Sequence, residues 1–98
     1  MNQHYAGPIP GASQKQLDQV AAIDAACQAA GSTRDIDTLE AFADTFIRWL
    51  KNRNDDTDGE VRRRILLSVT ANVDAVSTHG DAPKKLVKLT DQLYWRIK

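Results

Sequence analysis

The 98-residue chain carries 13 basic and 13 acidic residues, for a formal net charge of zero, with 42% apolar and 27% charged residues. This length suits one domain around one core, and the balanced charge speaks against both a strongly basic nucleic-acid binder and an acidic nucleic-acid mimic. Cys27 is the single cysteine, which excludes an internal disulfide, and no apolar run approaches the length of a bilayer span.

The charge is unevenly placed. Residues 1–49 hold three basic and six acidic groups, net −3, and residues 50–98 hold ten and seven, net +3. The halves can attract each other within the fold or present faces of opposite sign to partners.

Residues 1–12 read as an extended arm ahead of one helical domain over 13–98. Gly7, Pro8, Pro10 and Gly11 break any periodicity, while Tyr5 and Ile9 give the arm two apolar groups that can dock on the domain or on a partner. The segment has neither the basic start nor the apolar stretch of a signal peptide, so the expected compartment is the cytoplasm.

A first helix is predicted over about 14–30. Ser13 and Gln16 form a Ser-x-x-Gln capping box, and Gly31 is placed to stop the helix in the left-handed conformation. Leu17, Val20, Ile23, Cys27 and Ala30 share one face and are expected inside, with Cys27 acting as a small hydrophobe. Ala22, Ala25 and Ala29 line the opposite face, where small residues permit a second close contact.

The longest clean amphipathic stretch is Ile36–Arg53. Leu39, Phe42, Ala43, Phe46, Ile47, Trp49 and Leu50 fall on one side with Ile36, and Asp37, Glu40, Asp44, Arg48, Lys51 and Asn52 on the other. Ser32 or Asp35 is placed to cap this helix, and Asp44 and Arg48 stand at the i,i+4 spacing of an ion pair.

A third helix is predicted over about 58–79, opened by a Thr57-x-x-Glu60 capping box and stopped at Gly80. Val61, Ile65, Leu66, Val69, Val73 and Val76 form its main apolar arc, with Leu67 in a second row beside Arg63. A fourth helix over about 82–97, with Asp81 as cap and Pro83 in its first turn, carries the stripe Leu86, Leu89, Leu93 and Ile97, widened by Val87, Thr90 and Tyr94. Four amphipathic helices with no strand signal predict an all-α, compact four-helix bundle, antiparallel or orthogonal, without a β-sheet. The expected core is Leu39, Phe42, Phe46, Leu50, Ile65, Val69, Leu86, Leu89 and Leu93.

Chemistry is hard to find in this sequence. The run Asn54–Gly59 resembles the start of a calcium loop, but the twelfth position is Ile65 where a bidentate glutamate is needed, and three arginines follow at once. His4 and His79 have no ligand at metal spacing, and no nucleophile–base pattern or phosphate loop is visible. No catalytic residue, metal site or cofactor is expected.

Surfaces are more informative. Arg62–Arg64 sweep about 200° of helix surface and read as a solvated helix start facing the acidic loop before them. Trp95 falls opposite the leucine stripe of the last helix, among Lys84, Lys88 and Gln92. A large apolar ring on a wet, basic face fits a protein-binding hot spot. The sequence therefore predicts a non-enzymatic binding module, a small accessory or inhibitor protein docking on a larger protein complex. Its expected contact residues are Trp95, Lys84, Lys88, Gln92, Arg63, Arg64 and Leu67. The alternative is a nucleic-acid binder using Arg62–Arg64 and the Lys84/Lys85/Lys88 surface. No membrane partner is expected, and the oligomeric state is open.

Overall fold

The computed structural model describes residues 10–31, 35–52, 59–73 and 82–97. Four α-helices account for nearly all of them: α1 (Gln14–Ala29), α2 (Ile36–Lys51), α3 (Gly59–Asn72) and α4 (Ala82–Ile97). No described residue is in a strand. The radius of gyration is 12.5 Å and the principal extents are 32 × 29 × 25 Å, so the bundle is nearly as wide as it is long. α1 packs on α2 and α3, and α4 packs on α3 and α2, while α2 and α3 meet over a smaller contact. α1 and α4 thus occupy opposite corners.

The helix ends follow local chemistry. Ser13 Oγ accepts from the Gln16 amide at 3.1 Å, and Gln16 Oε1 accepts from the Ser13 amide at 3.0 Å, closing the capping box. Gly31, at φ +69°, takes the left-handed position just beyond the end of α1. Asp35 caps α2, accepting from the Thr38 amide at 3.2 Å and the Thr38 hydroxyl at 2.6 Å. Those bonds, the hydroxyl first, hold its carboxyl below the ordinary carboxylate range. α3 ends at Asn72, and its expected continuation toward His79 lies outside the described residues, as do the Thr57 and Asp81 caps, the calcium-like run apart from Gly59, both histidines and most of the N-terminal arm.

α2 supplies the large core side chains. Phe42, Phe46 and Leu50 are fully buried, and Phe42 and Phe46 meet edge to face at 6.1 Å. α1 answers with small ones: Ala21, Ala22, Ala25, Ala26 and Ala29 are all buried. Large rings on one helix need small residues on the helix facing them if the interior is to close without overlap. Leu17 and Ala30 are buried as expected, but this packing turns the rest of the expected inner face of α1 outward. Val20 and Ile23 are exposed, and so is Cys27, which is therefore not a core hydrophobe.

Two further phases are corrected. On α3, Leu66 and Val69 are buried as expected, but Val61 and Val73 are exposed, and Leu67 and Thr70 are buried together with Arg62 and Arg63. On α4, Leu93 and Ile97 are exposed and Leu89 is half-buried, whereas Leu86, Thr90 and Tyr94 are buried. The buried centre is turned by about 50° from the leucine stripe, at about 100° per residue. Thr90 tolerates burial because its hydroxyl donates to the Leu86 carbonyl at 2.7 Å. Ile36, at the first turn of α2, is also exposed, and Leu39 and Ile65 are half-buried. The expected Asp44–Arg48 ion pair is replaced by a bond from Arg48 Nε to the Asp44 carbonyl at 3.3 Å.

Candidate functional site

The arginine run shows how the interior fixes the surface. Arg63 is 2% exposed and its Nη1 lies 2.8 Å from Oδ1 of Asp18, itself 2% exposed. The same nitrogen donates to Gln14 Oε1 at 3.1 Å. This ion pair ties α3 to α1. A buried charge needs such partners, because desolvating it alone is prohibitive.

Arg62 is buried on the other side of α3. Its guanidinium carbon stands 4.0 Å from the centroid of the Trp49 ring and 4.8 Å from that of Tyr94, a cation held between two π faces. Its Nη2 donates to the Trp49 carbonyl, in the last turn of α2, where the helix dipole favours a cation. Only Arg64 remains outside, 2.8 Å from Glu60 one turn away. Arg63 and Leu67, expected on a binding surface, are thus interior residues, and the three arginines do not form a solvated patch.

The same cluster holds α4 in place. Trp49 Nε1 donates to Asp91 Oδ1 at 2.9 Å. Trp49 and Tyr94 meet edge to face at 5.9 Å and 90°, and Tyr94 meets Trp95 at 5.7 Å and 72°. The inner side of α4 is therefore anchored by an aromatic series that starts at a buried cation and ends at the surface.

Trp95 is the outer end of that series and is 61% exposed. Lys84, Lys88 and Gln92 are exposed with it on the outward side of α4, as are Lys85 and Arg96. Asp91, the one acidic residue of the helix, is half-buried and turned to the Trp49 indole. The outward face of α4 is thus basic with an apolar ring on it. It joins Trp95, Lys84, Lys88 and Gln92 as the sequence suggested, and leaves Arg64 apart on α3.

A second surface escaped sequence reasoning. On the outer side of α1, Val20, Ile23 and Cys27 form an exposed row. Beside Ile23 a hollow of about 230 Å³ opens toward α2, lined by Gln19, Ala22, Ile23, Glu40, Ala43, Asp44 and Ile47. A shallower one of about 460 Å³ lies on the other side, against Pro10, Gly11 and Ala12. The signal was present in the alanine row: once Phe42 and Phe46 claim the small face of α1, Val20, Ile23 and Cys27 point outward, while Leu17 stays buried at the first turn.

Among the described residues no three His, Cys, Asp or Glu side chains gather into a group suited to a metal ion, and no described helix is long and apolar enough to cross a membrane. No protein-family model matches the chain, and neither a curated protein nor a solved structure matches it.

Proposed function

We propose that the chain is a non-enzymatic binding module, an accessory or inhibitor protein that docks on a protein partner through the outward face of α4. The observation that carries this reading is Trp95, 61% exposed on a helix whose opposite side is anchored by Trp49, Tyr94 and Asp91. A rigid helix that leaves a tryptophan in water has apolar area to gain by covering it, and tryptophan is enriched among the residues that dominate interface energies. Lys84, Lys88 and Gln92 form the polar surround, suited to an acidic rim on the partner.

Nucleic acid is the weaker reading on this geometry. It relied on Arg62–Arg64 acting with the lysines, and two of the three arginines are buried in structural contacts. The basic groups left on α4 offer fewer phosphate contacts, and affinity for a nucleic acid scales with their number.

The test uses the full chain and its Trp95→Ala variant as parallel baits in nuclease-treated host extract, followed by affinity measurement on the purified partner. The expected result is a protein retained by the parent, with the variant weaker by about 2 kcal/mol or more. A partner held equally by both, or recovery that disappears with nuclease, overturns the reading.

A further inference from the structure

The outer side of α1 differs in kind from that of α4. Val20, Ile23 and Cys27 stand in one exposed row, and Ile23 is 57% exposed. The hollow between Ile23 and α2 has an apolar floor of Ala22, Ala43 and Ile47. Its only charged lining residues are Glu40 and Asp44, both exposed and one helical turn apart on α2. Neither carboxylate has an ion-pair partner among the described residues, since Arg48 reaches the Asp44 carbonyl and not its side chain.

We propose that this hollow is a second docking site, separate from the α4 face, and that it takes a cationic amphipathic helix of a partner protein. Apolar side chains of that helix would cover Ile23 and Ile47, and lysines or arginines beside them would meet Glu40 and Asp44. Residues spaced i,i+4 have Cβ atoms about 6 Å apart, the same spacing at which a second helix presents successive cations. Helix-in-groove recognition of this type reads apolar anchors at i, i+3, i+4 and i+7, while charge of opposite sign selects the partner and rejects acidic segments. The α4 face, carrying Lys84, Lys85, Lys88 and Arg96, has the opposite preference, so the two surfaces do not compete for one segment.

The probes are two synthetic peptides of one amphipathic pattern, leucine with lysine and leucine with glutamate. Affinity is read by anisotropy of the labelled peptide, and location by an environment-sensitive dye on Cys27, the sole cysteine, one turn from Ile23. The lysine peptide should bind saturably and shift the Cys27 signal, with the glutamate peptide at least tenfold weaker. Ile23→Asn and the double change Glu40→Lys with Asp44→Lys should each cost the lysine peptide tenfold or more. Trp95→Ala should change nothing, which separates this site from the α4 reading. Binding indifferent to the peptide's charge, or unaltered by the charge reversal, overturns the proposal. So does a sedimentation result in which the parent is a dimer that Ile23→Asn dissociates, since the occupant would then be a second copy of the chain.

Discussion

Two tryptophans in similar helices have been given opposite tasks. Trp49 is 7% exposed, lies under the Arg62 guanidinium, meets Tyr94 edge to face and donates to Asp91. Trp95 meets the same Tyr94 at 5.7 Å and stands 61% exposed on the lysine-bearing side of α4. Both rings offer a large apolar area with one polar N–H. Trp49 has a carboxylate across the seam to satisfy that N–H and a cation over its face. The partners that hold Trp49 in the fold are brought by other helices, 13 and 42 residues away in sequence.

The interior side of this comparison breaks most severely at the ion pair that holds α3 to α1. Asp18→Ala takes from the buried Arg63 guanidinium its 2.8 Å carboxylate, beside which Glu60 at 3.6 Å is a longer contact, and removal of one member of a buried pair costs about 3–5 kcal/mol. Urea unfolding should show a midpoint far below the parent's. An unchanged midpoint would mean that Arg63 finds water when Asp18 is gone, and that the α1–α3 seam is looser than its geometry.

A finer cut is made at Trp49 itself. Trp49→Phe keeps most of the apolar area and the ring face under Arg62 but deletes the N–H that binds Asp91. The expected loss is about 1–2 kcal/mol, the size of one hydrogen bond to a partly buried carboxylate. The double variant with Asp91→Ala should lose less than the sum of the two single changes, because both remove the same contact.

The sequence made α2 legible and the two outer helices less so, for physical reasons. In α2 large apolar and charged residues segregate sharply, so Phe42, Phe46 and Leu50 could be placed inside from periodicity alone. The four helices, with no strand among the described residues, followed from the same kind of pattern. In α1 the periodicity is shallow. Alanine is compatible with either side, and the choice was made by Phe42 and Phe46 on the helix it meets. In α4 the leucine stripe lost to Thr90 and Tyr94, whose hydroxyl and ring find partners inside. Arg62 and Arg63 were read as solvated because burial of arginine depends on a carboxylate or an aromatic face supplied from elsewhere in the chain, which no local pattern reveals. Periodicity puts Trp95 on the polar side of α4 without deciding whether it is covered, and a rotation of about 50° still leaves it far from the buried centre. The hollow beside Ile23 was missed together with the phase of α1.

The account rests on Trp95 being spared from the fold, and the unfolding midpoint of Trp95→Ala measures this most directly, with Trp49→Ala as the internal standard. The expected result is a Trp95→Ala midpoint within about 0.5 kcal/mol of the parent, beside a loss of about 3–5 kcal/mol for Trp49→Ala. A Trp95→Ala curve displaced as far as that of Trp49→Ala would contradict the account and make Trp95 a part of the core.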